Sequence, residues 1–426
     1  MAEPSARRVA LDVLDRVLSQ GQSFDETFAG HPALGDLSVR DRAFARVMVT
    51  TTLRRMGQID VVVAQFVSTP PRSATIGNLL RLGAAQLLFL DTPAHAAVAE
   101  TVALCAHRHR SVTGFVNAVL RRIARDGFSA LPAEDAGRVN TPEWLWNAWQ
   151  ETYGGSRTEA IAAVHLSEPP LDLTVRRDAE GWAKKLDGVL LGGDTVRRPV
   201  GGSVEQLPGY AEGAWWVQDA AATLPVRLFS DLAGQQVIDL CAAPGGKTAQ
   251  LCALGARVTA VEISPKRADR LRDNLARLGL DAEIVVADAL DWRPANPAAA
   301  VLLDAPCTAT GTIRRHPDIA RHKSQADVAK MAALQGRLLA AAVDMVAPGG
   351  TLVYASCSLQ PEEGPEVIEH ALQDLPIVRH PTRPDQLGGL QVDITEDGDI
   401  RTLPCQLADQ GGIDGFFVAR LERSPP

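Results

Sequence analysis

The sequence predicts a multidomain chain: an all-α bundle, a small α+β subdomain, and an α/β domain whose parallel sheet is wound with helices. Three observations carry this. Helical apolar stripes fill residues 5–128 with no strand-like alternation. Short elements separated by Gly/Pro-rich turns occupy the stretch after Thr141. From about residue 213 apolar strands alternate with helical stripes, the rhythm of a parallel sheet with crossover helices.

In the first domain, placed at 1–132, Ala10, Val13, Leu14, Val17 and Leu18 form one helical stripe. Ile76, Leu79, Leu80, Gly83 and Leu87 form another, and Phe115, Val119 and Ile123 a third. Pro32, Pro70-Pro71 and Pro93 mark the breaks. Residues 129–140, with Pro132 and Gly137, read as a linker. The small subdomain is placed at 140–212. Its Trp144, Trp146 and Trp149 lie on a short helix and serve packing; a strand at 171–175 and turns through 188–209 follow. The third domain is placed at 213–426. Strands are expected at 236–240, 257–262, 283–287, 300–304 and 350–355, and helices at 247–254, 265–278, 325–347 and 363–373. A terminal strand at 416–421 is expected to be antiparallel, at the sheet edge.

Apolar residues make up 46% of the chain and charged residues 22%, which excludes a disordered chain and fits a soluble globular protein. No apolar run reaches the length of a membrane span. The N-terminus, Met-Ala-Glu-Pro-Ser-Ala-Arg-Arg, lacks an apolar signal core, so a cytoplasmic location is expected. The six cysteines include no Cys-x-x-Cys and no close Cys/His cluster, so no metal is expected and the thiols are read as reduced. Cys105, Cys252 and Cys405 read as small buried hydrophobes. The net charge of −8 is uneven: residues 1–130 hold 15 Arg, no Lys and 11 acids. That Arg-only excess points weakly to phosphate contact and equally suits a solvated helical surface.

Three strands are expected to end at one crevice, where an open α/β sheet binds ligands. The first, Val237-Ile-Asp-Leu240, runs into Cys241-Ala242-Ala243-Pro244-Gly245-Gly246-Lys247-Thr248. Gly246-Lys-Thr resembles half a phosphate-binding loop, but position 241 is Cys and Pro244 removes an N–H, so a nucleoside triphosphatase is disfavoured. Gly-x-Gly-x-x-Gly is missing, which disfavours a dinucleotide dehydrogenase. Glu262, ending the next strand, can accept the hydroxyls of a ribose. Asp288 ends the third strand, where it could bond an adenine amino group, and Asp304 the fourth. Each acid alone could simply cap a helix. Acids at successive strand ends suit a nucleoside carrying positive charge, such as S-adenosylmethionine. Cys307, in Asp304-Ala-Pro-Cys307, and Cys357, in Tyr354-Ala-Ser-Cys357-Ser358, follow two of these strands. Two thiols facing a small-molecule loop point to group transfer through a covalent intermediate.

Together these motifs resemble the Sun/Fmu (RsmB-like) family of bacterial 16S rRNA cytosine-C5 methyltransferases. Arg314-Arg-His-Pro-Asp318-Ile319, Trp216-Val-Gln218-Asp219 and Asp414-Gly-Phe-Phe417 are similar to the same family. The stretches 82–98 and 114–122 resemble the NusB-like RNA-binding domain that bacterial members carry. The resemblance covers nearly the whole chain. It implies a NusB-like bundle followed by a class I (Rossmann-like) methyltransferase domain. It implies methylation of C5 of a 16S rRNA cytosine by S-adenosylmethionine, with RNA as partner. It assigns Cys357 as the nucleophile that adds to cytosine C6, and Cys307 to proton removal or product release. Asp304 would bond the cytosine edge. Residues 241–247, Glu262, Asp288 and Asp304 would line the cofactor site. The chain departs from the family where Thr308-Ala309 replaces Ser-Gly and Ser356 replaces Thr before the second cysteine. Two rival readings are the same chemistry on tRNA or 23S rRNA, and a non-catalytic assembly or antitermination factor.

Overall fold

The structure is a computed structural model that describes residues 5–71, 73–106, 110–132 and 135–425. The expectations that touch residues 1–4 at the N-terminus and 133–134 in the linker lie outside the described residues. The chain forms two compact units. One holds residues up to Leu166 together with Arg315–Lys323; the other holds Ser167–Arg314 and Ser324 onward. No helix among the described residues is long and apolar enough to cross a membrane.

The first unit is helical throughout. Its opening helix, Ala6–Gln20, starts where the Ser5 side chain accepts from Arg8 N and stops at Gly21 in the left-handed region. The predicted stripe of that helix is buried at Ala10, Val13, Leu14 and Val17. It packs into one core with Met48, Leu53, Leu79, Leu80 and Leu120, all fully buried. The expected linker is not one. Residues Ala136–Asn140 form a helix, and the Asn140 side chain bonds the backbone N–H and side chain of Gln58 at 3.1 and 2.9 Å. The helices Glu143–Tyr153 and Gly155–Val164 then stay in this unit, with Arg54 donating to His165 O at 2.9 Å. The compact unit runs on to Leu166, past the 132–140 boundary read from the sequence. Asn140, at the end of the expected linker, is a buried amide with partners.

Residues 315–323 belong to the same unit. Asp318 accepts from Phe24 N at 3.0 Å, and Arg321 donates to Asn140 O at 2.7 Å and to Leu53 O at 3.1 Å.

The second unit contains two sheets. Strands β1 (Leu171–Val175), β2 (Val189–Gly192), β3 (Thr195–Arg198) and β4 (Trp215–Val217) form an antiparallel sheet ordered β2-β3-β1-β4. The larger sheet is built from β5 (Gln236–Leu240), β6 (Arg257–Glu262), β7 (Glu283–Val286), β8 (Ala298–Asp304) and β9 (Val346–Ser356). Those five run parallel in the order β7-β6-β5-β8-β9. Strands β10 (Ile377–Arg379), β11 (Asp393–Ile394), β12 (Ile400–Thr402) and β13 (Phe416–Arg423) extend it antiparallel, so the sheet is mixed. The expected position of the terminal strand at the edge is corrected. β13 lies between β9 on one side and β12 and β10 on the other. Its residues Phe416–Leu421 are all buried, which an edge strand does not allow.

The order also creates a switch point. From β5 the chain moves outward through β6 and β7, then returns to β8 on the other side of β5. The crevice beyond the carboxyl ends of β5 and β8 is where such a sheet holds its ligand.

Gly57 tests the corrected boundary. A Cβ there would meet Val139 O at 1.9 Å. Gly→Ala inside a helix ordinarily stabilises by about 0.5–1 kcal/mol. Gly57→Ala should instead destabilise by about 1–3 kcal/mol, the range for overpacking, in denaturant unfolding. A gain in stability would show that residues 136–140 do not pack on this helix.

Candidate active site

The first loop begins where β5 ends. Cys241 takes a left-handed φ of +61°, and Gly245, at +103°, starts the helix Gly246–Ala253. Gly245 is needed twice over, because a Cβ there would also sit 2.3 Å from Leu271 Cδ1. A Cβ on Gly246 would meet the Gln218 side chain at 3.7 Å, an ordinary contact. Thr248 Oγ1 donates to Asp239 Oδ2 at 2.6 Å, while Asp239 Oδ1 is buried without a partner. Burial pushes the Asp239 carboxyl up to about 7.

Lys247 Nζ donates to Asp304 Oδ2 at 2.7 Å and stands 5.2 Å from the centre of the Phe416 ring. The sequence placed Lys247 with the cofactor and Asp304 with both cofactor and target; the structure joins the two into one ion pair. Phe416, from β13, has no signal in the sequence for this contact. Glu262 is 1% exposed. It accepts from Ala243 N at 3.3 Å, Ser264 N at 3.0 Å and Arg267 Nη1 at 3.3 Å. Asp288 lies two residues past the end of β7 and accepts from Leu290 N at 2.9 Å. That bond closes a turn; no helix follows for Asp288 to cap. Cys241 is largely enclosed, and burial pushes its thiol up to about 12.

The second pair of loops brings the two cysteines together. β8 and β9 pair in parallel with Asp304 opposite Ala355. Cys307 follows Asp304 by three residues and Cys357 follows Ala355 by two, and their sulfurs lie 3.3 Å apart. Cys357 is held well above the usual thiol range, first by its hydrogen bond with Cys307, then by burial and by the nearby Asp304. Cys105 is buried as expected; Cys252 and Cys405 are half-buried.

The loop after Cys307 is anchored by glycine. Gly311 N donates to Cys357 O at 2.9 Å, and Gly415 N donates to Gly311 O at 2.8 Å. A Cβ on Gly311 would lie 2.0 Å from Gly415 O. Beside this contact Arg314 is completely buried. Its guanidinium pairs with Asp414 at 2.9 Å and with Asp219. The sequence had marked all three residues by resemblance alone, with no role.

As a group these features fit an adenosyl cofactor. The loop turns on glycine, Asp239 holds a buried oxygen with no partner, and Glu262, Asp288 and Asp304 would complement a cationic ligand.

Residues 228–422 match the family model described as 16S rRNA methyltransferase RsmB/F, and residues 4–125 match the NusB family. The chain is 35% identical to ribosomal RNA small subunit methyltransferase B of Pseudomonas putida, over 97% of this chain and 98% of that one. The protein of that name from Salmonella arizonae is 34% identical, again over 97% of this chain and 98% of the relative. Among solved structures, PH0851 superposes with a TM-score of 0.79 at 22% identity, covering 99% of both chains. NSun6 from Pyrococcus horikoshii superposes with a TM-score of 0.54 at 19% identity over 67% of this chain and 99% of that one. The two structures share the fold.

Asp239 gives a pH test. Its carboxyl is harder to ionise folded than unfolded, so the folded state binds the proton more tightly. The stability this contributes is full below the ordinary aspartate range near pH 4. It is lost as pH rises through about 7. Asp239→Asn keeps an acceptor for Thr248 and cannot ionise. Wild type should lose stability relative to Asp239→Asn between about pH 4 and about pH 7, then run parallel above it. A difference that stays constant across this range in denaturant melts would show an ordinary aspartate.

Proposed function

This chain belongs to the RsmB/F family of 16S rRNA methyltransferases, and from that premise we propose that it transfers a methyl group from S-adenosylmethionine to C5 of a specific cytosine in 16S rRNA, through a covalent bond between a cysteine and cytosine C6. The observation that carries the reading is the thiol pair, with sulfurs 3.3 Å apart at the ends of two adjacent parallel strands. C5 of cytosine is too weak a nucleophile to take a methyl group unaided. A sulfur added at C6 makes C5 enamine-like, and two thiols supply two separate jobs.

S-adenosylmethionine, when bound, supplies an electrophilic methyl group. The residues around it do the rest. The turn at Cys241–Gly246 approaches the cofactor with its backbone, with Lys247 beside it. Glu262 takes the ribose hydroxyls, in place of the bond it makes to the half-exposed Arg267. Asp288 serves the adenine side. Cys357 gives its proton to solvent as its sulfur bonds to C6, and Asp304 holds the cytosine edge as charge builds on the ring. After C5 is methylated, Cys307 takes the C5 proton as it passes its own to the departing Cys357 sulfur, 3.3 Å away. The electrons of that C–H bond re-form the ring double bond as the C6–sulfur bond breaks. The target base must leave any stack to enter the crevice, at a cost of a few kcal/mol. The Arg-only excess of the first 130 residues suits the phosphate contacts that offset that cost. The relatives' names give small-subunit rRNA as their substrate, which favours 16S rRNA over tRNA or 23S rRNA.

Bisulfite sequencing of total RNA should find one 16S cytosine unprotected in a deletion strain and protected again on complementation. A protected cytosine lost from tRNA or 23S rRNA instead would reassign the substrate.

Cys357→Ala should abolish turnover and form no adduct, since nothing then adds to C6. Cys307→Ala should attack, transfer the methyl and stall, accumulating a protein–RNA adduct that survives a denaturing gel. The reverse pattern would exchange the two roles. Activity kept in both variants would remove covalent catalysis from the reading.

Glu262→Ala should weaken S-adenosylmethionine by about 1–3 kcal/mol in calorimetry, the cost of leaving polar partners unpaired. Unchanged affinity would mean the ribose is held elsewhere.

A further inference from the structure

One buried carboxylate bonds the residue that follows each cysteine. Glu363 is 0% exposed and lies in the turn Pro361–Glu363 after β9. Its Oε1 accepts from Thr308 N at 2.7 Å and from Gln335 Nε2 at 3.3 Å. Its Oε2 accepts from Ser358 Oγ at 2.6 Å and from the Thr308 hydroxyl. Thr308 follows Cys307 and Ser358 follows Cys357. The same Gln335 amide donates to Pro306 O at 2.9 Å, on the other side of Cys307. The Ser358 hydroxyl lies 3.2 Å from those of Thr308 and Thr310, and Thr310 accepts from Leu359 N at 2.9 Å. Glu363 is itself held, because Tyr354 OH donates to its backbone carbonyl at 2.9 Å.

We propose that Glu363 is a positioning residue that sets the separation of the two thiols by tying the Cys307 loop and the Cys357 loop to one carboxylate. This rests on the reading of Cys307 and Cys357 as the reacting pair. Four donors converge on two oxygens, which is the accepting capacity of an ionised carboxylate and of no other side chain. Burial pushes Glu363 above the usual carboxylate range, and the hydroxyl, N–H and amide donors oppose that. An amide at this place keeps the shape and accepts on one atom only. Aspartate is one methylene shorter and cannot reach both loops. Alanine leaves the donors buried and unpaired, and both loops lose their common reference point.

A residue that only stabilises the fold would lower stability and leave the chemistry of folded molecules alone. A positioning residue acts on turnover. The test uses the full chain with Glu363→Gln, Glu363→Asp and Glu363→Ala. Three readouts are taken: cofactor affinity by calorimetry, kcat and KM for the RNA, and bridging of Cys307 to Cys357 by dibromobimane without RNA, read by peptide mass. The cofactor loop and the RNA contacts are untouched, so affinity and KM should stay at wild-type values. Turnover should fall about 100-fold in Glu363→Ala and Glu363→Asp, the scale of a displacement near 1 Å, with Glu363→Gln in between. Bridging should fall in the same order.

Wild-type kcat in Glu363→Ala would overturn the proposal. So would lost turnover with bridging unchanged, or losses confined to KM or cofactor affinity. If Glu363→Ala does not fold, Glu363→Gln decides by the same criteria. The bridging readout needs no methyl transfer. A wild type that makes no 5-methylcytosine would therefore refute the proposed reaction and still leave the role of Glu363 measurable.

Discussion

The buried guanidinium of Arg314 is the constraint from which the site is assembled. A charge with no access to water must be paired, and removing one partner of a buried pair costs about 3–5 kcal/mol. Arg314 meets Asp219 and Asp414, which lie about a hundred residues before and after it. Asp219 also caps the helix Ala220–Arg227 through Ala221 N and accepts from Asp414 N at 3.0 Å. Asp414 precedes Gly415, Gly415 bonds Gly311, and Gly311 bonds the carbonyl of Cys357. Charge pairing thus fixes where two glycines meet, and that contact fixes a cysteine. The energy lies in electrostatics and the consequence in where Cys357 is held.

Around the crevice the electrostatic pattern follows from the same economy of space. Asp239, Glu262 and Asp304 converge with Lys247 as the near counter-charge. One result is an Asp239 that ionises late. Cys357 is held above the usual thiol range, first by its hydrogen bond with Cys307, then by burial and by Asp304. The arginine excess belongs to the other end of the chain, where phosphate would be met.

The family departure at Thr308-Ala309 has a physical account in the same place. Threonine keeps the hydroxyl that serine would bring, and that hydroxyl bonds Glu363. Ala309 does not keep what glycine would bring. It sits at φ +59°, in the left-handed region, which costs an L residue about 1–2 kcal/mol. The chain keeps the polar contact and bears the backbone strain.

Apolar runs and helical stripes are local, so the sequence by itself determined β5, β6 and the helix Pro265–Leu278 at their observed bounds, and the other parallel strands and helices within a few residues. It also determined the strand-end loops, because a glycine turn and a cysteine after an apolar run are readable one segment at a time. Tertiary structure alone decided the rest. Asn140 read as linker until its amide met Gln58; β13 read as an edge until β12 and β10 closed on it. Arg314, Asp219, Asp414 and Glu363 carry charges that composition assigns to the surface. They are buried because partners distant in sequence arrive to bond them, and no local pattern encodes which distant segments will meet.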